Sequence, residues 1–442
     1  MKAAAPVTGA PTYAFPSAAT QQWVRQFGPQ PSSTFSTTGN HPLENLIAGL
    51  AVDQSGAVVG AGFTLGVFQG VNTFPGPLLR NLVLKSSATG SMEWVREFGT
   101  GSGDSLESVA VDAGGDILVS GSTLGAFPGY SNPSGALQAV VAKFDSGGNM
   151  LWLRQLPMNG ISDLNSIAVD GNGDILAGGT TSMPNNKSAQ SVIVEKLSGA
   201  TGAQIWQQQF GTSASFNGLG AVAVDRAGDV FASIGTSGPF PGTADQSLSD
   251  EYILKFDGAS GKQMWMQQFS GQSGKPNAYL SSLAVDAAGD LIAGGSSSPT
   301  DIYIGLGAYQ LQNNLLFKLN GGTGVTVWSR TFGTGQGDGI SSVSVDRNGN
   351  VLAAGVTNGS YEPQYAPAFN VPFLLKFDGN GNDIWAQEPD VGTVWNTTAT
   401  SGPMVATDAS GDAFVSSLTQ GALAGFSNPT GTTQIVLAKY GP

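Results

Sequence analysis

The sequence contains no cysteine and a single histidine, His41. The lack of cysteine excludes disulfide bonds, thiolate metal sites and a cysteine nucleophile. A Ser-His-Asp triad would have to use His41, which stands in a Pro/Asn-containing stretch that is typical of a surface loop. The usual nucleophilic enzyme classes are therefore poor matches to this chain.

Basic residues are scarce: 18 Lys and Arg stand against 31 Asp and Glu, which gives a formal net charge of −13. A surface that binds nucleic acid needs clustered Lys and Arg, and none is visible. A surface with few lysines also disfavours anionic lipid. No apolar run reaches the length of a membrane-spanning helix, so we expect neither nucleic-acid binding nor membrane insertion.

Glycine is abundant, with 64 residues in 442, and 40% of the chain is hydrophobic. Three short motifs recur in fixed order, and each occurs seven times. The tryptophans of motifs such as WVRQFG are Trp23, Trp94, Trp152, Trp206, Trp265, Trp328 and Trp385. The aspartates of the AVDxxG motif are Asp53, Asp112, Asp170, Asp225, Asp286, Asp346 and Asp408. The lysines that end an apolar strand are Lys85, Lys143, Lys196, Lys255, Lys318, Lys376 and Lys439.

Each repeat predicts four short strands. The AVD segment forms the inner strand, and the Asp-x-x-Gly turn leads into the second. A longer loop precedes the Lys-ending third strand, and the Trp strand is outermost. Repeats of tens of residues with several strands each predict an all-β, seven-bladed propeller over residues 21–442, after an N-terminal extension over 1–20. The approximate blades are 44–99, 104–156, 162–211, 217–270, 278–333, 338–388, and 400–440 together with 21–28.

The two ends of the chain are complementary. The first Trp strand, around Trp23, has no Lys strand before it, and the last Lys strand, 434–440, has no Trp strand after it. Pairing them completes the seventh blade and leaves no free strand edge at the seam. We therefore predict a monomeric ring that is closed by its N-terminal and C-terminal strands.

The motif order resembles the bacterial seven-bladed propeller repeat known as the SBBP repeat. Residues 121–129 (GSTLGAFPG) and 141–145 (VAKFD) carry the resemblance most closely. It implies an exported bacterial protein of undefined role. The Ala/Pro/Thr-rich start is typical of a segment that follows a signal peptide. We therefore expect a secreted or cell-surface protein, with the signal peptide itself outside the given sequence.

A functional site should lie where the repeats differ, because seven equal copies of Asp and Lys indicate a structural role. Polar residues that differ between blades stand near the start of the predicted inner strands, at one mouth of the channel. We expect a binding rim formed by Asn45, Asp104, Glu107, Asp163, Asn165, Asn217, Tyr279 and Asp338. Such carboxylates and amides suit a cation or a polyol, although they also suit plain solvation of a channel.

Two other patterns suggest ligands. Asp170, Asn172 and Asp174 alternate oxygen-bearing side chains as calcium loops do, although a hairpin turn explains them without a metal. We expect no organic cofactor. The loops between second and third strands carry aromatic residues that would bind a partner or pack between blades. These are Phe68, Phe74, Phe127, Tyr130, Phe240, Tyr303, Tyr309, Tyr361, Tyr365 and Phe426.

Three functions fit the sequence. The first is a non-catalytic binding or scaffolding module for a protein or glycan partner. The second is a carboxylate-dependent hydrolase or lyase working around Asp104, Asp163 and Asp338. The third is a lectin with repeated pockets, which would need equivalent loop residues in most blades.

Overall fold

The protein is described here from a computed structural model. The description covers residues 17–28, 45–66, 68, 79–156, 162–183, 186–211, 217–236, 240, 250–269, 277–298, 312–335, 337–361, 371–389, 402–419, 421–423, 425–428 and 433–442. His41 and the loop aromatics Phe74, Tyr303, Tyr309 and Tyr365 lie outside these residues, as does most of the predicted N-terminal extension.

Twenty-eight strands form seven antiparallel sheets of four strands in the described part of the chain. Strand β1 (Gln21–Phe27) comes first. Blade 1 contains β2 (Asn45–Val52), β3 (Val58–Thr64), β4 (Arg80–Ser86) and β5 (Met92–Phe98). Blade 2 contains β6 (Asp104–Val111), β7 (Ile117–Thr123), β8 (Gln138–Phe144) and β9 (Met150–Leu156). Blade 3 contains β10 (Ser162–Val169), β11 (Ile175–Met183), β12 (Asn186–Leu197) and β13 (Gln204–Phe210).

The remaining blades follow the same order from the inside outward. Blade 4 contains β14 (Asn217–Val224), β15 (Val230–Thr236), β16 (Asp250–Phe256) and β17 (Gln263–Gln268). Blade 5 contains β18 (Asn277–Val285), β19 (Leu291–Ser298), β20 (Asn313–Leu319) and β21 (Thr326–Phe332). Blade 6 contains β22 (Asp338–Val345), β23 (Val351–Thr357), β24 (Val371–Phe377) and β25 (Asp383–Gln387). Blade 7 contains β26 (Met404–Thr407), β27 (Ala413–Thr419), β28 (Gln434–Tyr440) and β1.

The inner strands contact one another in cyclic order, with β26 against β2, so the sheets close into a ring. The predicted seam is confirmed: β1 pairs with β28 through Trp23↔Lys439 and Phe27↔Ile435. The predicted all-β propeller of seven four-stranded blades is therefore correct. The segment before β1 also joins the fold, since Ala18 forms a parallel bridge with Ala386 of blade 6.

The Asp-x-x-Gly turn has the same geometry in every blade. The Asp accepts hydrogen bonds from backbone N–H groups, as Asp112 Oδ1 does from Gly114 at 2.8 Å and Asp116 at 2.9 Å. The glycine takes a φ between 80° and 89° in all seven turns, which only glycine adopts without strain. The turn chemistry predicted from the sequence is thus confirmed.

The repeated lysine pairs with the repeated aspartate of its own blade, at 2.7–3.5 Å. The aspartate stands at the first turn and the lysine on the third strand, so the ion pair fixes these two elements to each other. The pairs are Asp53–Lys85, Asp112–Lys143, Asp170–Lys196, Asp225–Lys255, Asp286–Lys318, Asp346–Lys376 and Asp408–Lys439. These symmetric charges are structural.

The outer-strand tryptophans fasten each blade to the next. Six of them donate their indole N–H, at 3.0–3.3 Å, to a backbone carbonyl in the turn between third and fourth strands of the following blade. The donors are Trp23, Trp94, Trp152, Trp206, Trp265 and Trp328. The indole N–H of Trp385 is buried and has no acceptor among the described residues.

Four of the six loop aromatics that the structure describes are buried. Phe68, Phe127, Phe240 and Tyr361 are at most 7% exposed, which agrees with the packing alternative, whereas Tyr130 and Phe426 are half-buried. A polar side chain of the outer strand holds the loop, as Gln155 Oε1 accepts a hydrogen bond from Phe127 N at 2.9 Å. Each of these aromatic rings therefore packs against the core and buries additional apolar surface there.

Candidate functional site

A β-bulge interrupts the inner strand of six blades at the same position. At each bulge the inner strand has one residue more than the second strand to which it pairs. Such bulges redirect a side chain and are frequent next to functional sites. The six bulge residues are Ala48, Glu107, Asn165, Gly220, Ser281 and Ser341.

All six bulge residues line a cavity of about 540 Å³ at the centre of the ring. Every inner strand contributes to its wall. Ser105 and Leu46 lie toward the start of their strands, whereas Val109 and Leu50 lie deeper. The bulge residues therefore form a ring of unequal side chains, here called the bulge ring, inside an otherwise symmetric channel.

Three members of the bulge ring donate a hydrogen bond to a backbone carbonyl at the start of the next blade. Asn165 Nδ2 donates to Leu219 O at 2.8 Å. Ser281 Oγ donates to Ile340 O and Ser341 Oγ donates to Pro403 O, both at 2.6 Å. These bonds run around the circumference and tie neighbouring inner strands together.

Glu107 is the only ionisable residue among the described ones that line the cavity. Burial, and to a smaller extent the neighbouring carboxylate of Asp163, raise the pKa of Glu107 to about 7. A carboxylate has no proton to donate, so above this pKa Glu107 cannot make the bond that Asn165 makes from the equivalent position. The bulge ring thus contains one carboxyl group, that of Glu107, which changes its protonation state near neutral pH.

Four of the predicted rim residues are buried inside the blades. Asn45, Asp104, Asn217 and Asp338 are each at most 2% exposed. They begin the inner strands, and none of them is in the described lining of the cavity. Their proposed role at an open rim therefore has no support from their position.

Asp104 and Asp338 are held by threonines. Asp104 accepts hydrogen bonds from Thr100 N at 2.8 Å and from Thr123 Oγ1 at 2.6 Å. Asp338 accepts equivalent bonds from Thr334, at 2.8 Å from the backbone N and 3.0 Å from Oγ1. Both carboxylates therefore hold the loop before a blade against the start of the inner strand of that blade.

The remaining rim residues divide between the wall and the surface. Asp163 accepts hydrogen bonds from Thr180 N at 3.0 Å and Thr180 Oγ1 at 2.6 Å, and it stands close to Glu107. Tyr279 is 57% exposed near the start of β18, at the same strand level as Ser105. Glu107 and Tyr279 are accordingly the predicted residues whose polar groups the fold leaves available to a ligand, whereas the amide of Asn165 is bonded to the next blade or buried.

The turn predicted for calcium does not fit the ion. Asp170 Oδ2 lies 2.8 Å from Lys196 Nζ, and Asp174 Oδ2 lies 3.6 Å from the same nitrogen. Asp170 Oδ1 accepts bonds from the backbone N of Asn172 and Asp174. The lysine ammonium thus stands where a metal would bind. Across the described residues, no three His, Cys, Asp or Glu side chains are grouped to hold a metal ion.

The serines of the channel were not among the residues predicted from the sequence. Ser281 and Ser341 are bulge residues, and Ser282 and Ser342 accept hydrogen bonds from backbone N–H groups of the next blade. The Ser-Ser doublets that precede two AVD-type motifs were the available signal. An unpaired residue in the middle of an alternating strand is not visible in a hydropathy pattern.

Comparison with known proteins gives a fold and no family. No family model matches the chain, and no curated protein matches its sequence. The WD40 domain of Neurospora crassa Pan2 is 11% identical with a TM-score of 0.50, covering 96% of this chain and 97% of that domain. U3-55K is 10% identical with a TM-score of 0.51, covering 94% and 98%. BamB from Moraxella catarrhalis is 14% identical with a TM-score of 0.40, covering 98% and 93%.

These likenesses concern the fold alone. The resemblance to the SBBP repeat stays a prediction, whereas the seven-bladed propeller stands on the strand pairing itself. Among the residues that the structure describes, no helix has the length and apolar character needed to cross a bilayer.

Proposed function

We propose that this chain is a non-catalytic binding module that holds a protein or glycan partner at the mouth of its central channel. One observation carries the proposal: the repeated chemical groups are used inside the fold, and the groups that differ between blades face the channel. The repeated Asp and Lys side chains pair with each other, and six of the tryptophans donate a hydrogen bond to a backbone carbonyl. The unequal polar groups that remain are in the bulge ring.

The positions of the aspartates favour binding over catalysis. A hydrolase built on Asp104, Asp163 and Asp338 would need carboxylates that reach a substrate. Asp104 and Asp338 are buried against threonines instead, outside the described cavity lining. An enzyme would have to rely on Glu107 and Asp163, whose close carboxylates are the one feature that favours the hydrolase or lyase alternative.

The lectin alternative receives less support. Repeated glycan pockets would use exposed aromatic residues in equivalent loops, and four of the described loop aromatics are buried in the core. Export to the bacterial cell surface is a further part of the proposal. It rests on the Ala/Pro/Thr-rich start of the sequence and on the resemblance of its motifs to the SBBP repeat.

A pair of exposed side chains allows a matched test. The full chain is screened against a glycan array and a displayed-peptide library. Each ligand is then measured again with Tyr279→Ala, at the mouth, and Leu151→Ala, on the outer strand β9. The two side chains are 57% and 52% exposed, so neither truncation should affect folding.

We expect the Tyr279→Ala variant to weaken binding by about tenfold or more, as truncation of an interface tyrosine does, and Leu151→Ala to bind as the wild type. Loss of binding in Leu151→Ala alone, or no ligand in either library, contradicts the proposal. Release of reducing ends from a bound glycan would contradict the non-catalytic part and favour the hydrolase.

A further inference from the structure

The bulge ring is chemically unbalanced on one side of the channel. In blades 3, 5 and 6 the bulge residue donates a hydrogen bond to the next blade. In blade 2 that position is Glu107, and in blade 1 it is Ala48. The belt of donors is therefore interrupted at blades 1 and 2, at Gly220 in blade 4, and at blade 7, whose described strand pairs contain no such bulge. Only in blade 2 does an acceptor replace the donor.

Other acceptors stand beside Glu107. The Oδ1 atom of Asn165 is buried and accepts no hydrogen bond from any described residue, because the amide is oriented with its nitrogen toward Leu219 O. The carboxylate of Asp163 lies close enough to interact electrostatically with Glu107. No basic side chain belongs to the described lining of the cavity. The group that complements this corner must supply both hydrogen-bond donors and positive charge.

Apolar residues lie deeper in the same cavity. Each inner strand contributes an aliphatic residue two positions beyond its bulge or at the equivalent place, and most of these side chains pack in the apolar core between blades. These residues are Leu50, Val109, Ile167, Val222, Leu283, Val343 and Val405. A cavity of about 540 Å³ falls within the range of small-ligand sites and has room for a cationic head and a short aliphatic stem.

We propose that the channel binds an aliphatic cation, an ammonium or guanidinium group on a hydrocarbon stem. The head contacts Glu107, the one ionisable side chain in the described lining, and the stem occupies the remaining volume of the channel. A free alkylamine and a Lys or Arg side chain of a partner protein share this chemistry. The inference rests on the proposed function, since it names the ligand class for the same channel.

Isothermal titration of the full chain at pH 8 tests the head group. The probes are n-butylguanidinium and its uncharged analogue n-butylurea. The variants are Glu107→Gln and, as the matched control, Glu93→Gln, which removes one exposed carboxylate from the outer strand β5. Melting temperatures show that each variant is folded.

The wild type should bind n-butylguanidinium at least about tenfold more tightly than n-butylurea. Glu107→Gln should abolish that difference, and Glu93→Gln should retain it. Equal affinity of the two probes for the wild type, or an unchanged preference in Glu107→Gln, overturns the proposal.

A charge-adding variant covers the case in which Glu107→Gln fails to fold. Ala48→Asp introduces a carboxylate at the neighbouring bulge position in blade 1, which lines the same cavity. It should bind n-butylguanidinium about tenfold more tightly than the wild type while leaving n-butylurea unchanged. An unchanged or weaker affinity for the guanidinium would overturn the proposal.

The source of the cation is resolved by two further titrations with the wild type. Spermidine represents free amines, and a blocked Gly-Arg-Gly peptide represents a protein side chain. Tighter binding of one of them identifies the source, and binding of neither contradicts the inference. If a ligand from the array or library still depends on Tyr279 while all cations fail, only the cation inference is lost and the binding function stands.

Discussion

Glu195, on strand β12, is a carboxyl group enclosed by the protein. Neither of its oxygens has a hydrogen-bond partner among the described residues, and the side chain is almost fully buried. Burial raises its pKa to about 7. The folded protein therefore binds a proton that the unfolded chain releases near the ordinary glutamate pKa.

This proton makes stability depend on pH. Below the unfolded pKa, near 4.5, the contribution is fully present, and it is lost as the pH rises through the folded pKa of about 7. Between pH 5 and pH 8, we expect the free energy of unfolding to fall by about 2–3 kcal/mol more in the wild type than in Glu195→Gln. Chemical denaturation at both pH values measures this difference.

The exposed Glu93→Gln variant is the control and should keep the wild-type pH dependence. The comparison also cancels the titration of Glu107, which is present in every variant. A Glu195→Gln variant that loses as much stability as the wild type between the two pH values would show that this carboxyl is not the buried acid described here.

Metal removal should leave the protein unchanged. Lys196 supplies the positive charge beside Asp170 and Asp174. We therefore expect the same melting temperature, within error, in excess EDTA and in millimolar calcium. A rise in melting temperature with calcium would show that an ion displaces the lysine at one of these turns.

At the scale of the strand, the third and fourth strands carry a buried pair of polar side chains. The pair consists of two glutamines in two of the blades and of an arginine and a glutamate in another. In blade 2, Gln155 Nε2 donates to Gln138 Oε1 at 2.6 Å, and in blade 7, Gln26 Nε2 donates to Gln434 Oε1 at 2.6 Å. In blade 1 the same positions carry Arg80 and Glu97, with 3.3 Å between Nε and Oε2. All these side chains are buried and hold the loop between second and third strands.

Removing one partner of the charged pair should lower the stability of the fold more than replacing both partners by amides. Arg80→Gln leaves the Glu97 carboxylate buried without its counter-ion, and we expect a loss of about 3–5 kcal/mol in the free energy of unfolding. The double variant Arg80→Gln/Glu97→Gln rebuilds the amide pair of blades 2 and 7. It should lie within about 1 kcal/mol of the wild type. A double variant that loses as much as the single one, in a denaturant titration, would contradict this equivalence.

The tryptophans give a second matched comparison between blades. Trp206 Nε1 donates to Gly258 O at 3.1 Å, whereas Trp385 Nε1 has no acceptor among the described residues. The reason is the seam: the turn that accepts the bond in other blades is absent from blade 7, whose third and fourth strands are opposite ends of the chain. Both indoles are buried.

Phenylalanine at these positions removes the N–H while keeping a ring. We expect Trp206→Phe to lose about 1 kcal/mol more stability than Trp385→Phe, because only the first variant loses a hydrogen bond. Thermal or denaturant unfolding of the two variants in parallel provides the measurement. Equal losses would mean that the bond to Gly258 contributes nothing measurable.

At the scale of the whole molecule, ring closure depends on strand β28. Ile435 and Leu437 are at most 1% exposed, and each pairs with both β27 and β1. Deleting residues 431–442 should lower the melting temperature sharply, since each of these side chains is worth about 1.5–3 kcal/mol. A synthetic peptide of the deleted residues should restore much of the loss. An unchanged melting temperature in the deletion variant would rule out closure by this strand.

The architecture was predictable because it depends on features that repeat. Seven copies of Trp, Asp and Lys determine the strand order and the blade count, and the unmatched end strands locate the seam. The unequal features were harder to predict. Hydropathy does not indicate that the Phe127 side chain is buried or that Thr100 donates a hydrogen bond to Asp104, since both depend on the path of a loop. Glu107 was identified by its polarity, but its place in a bulge follows from pairing with the neighbouring strand.

The seam also determines where the ring carries an unpaired donor. Tyr440 lies beside Gln21, so a short linker could join β28 directly to β1 and new ends could be opened at another outer turn. In such a circular permutant, opened for example between Gly199 and Gly202, Trp385 would regain an acceptor and Trp152 would lose Gly199 O. The unpaired indole would thus move around the ring with the cut. Chain connectivity, and no property of Trp385 itself, decides which blade boundary has one hydrogen bond fewer.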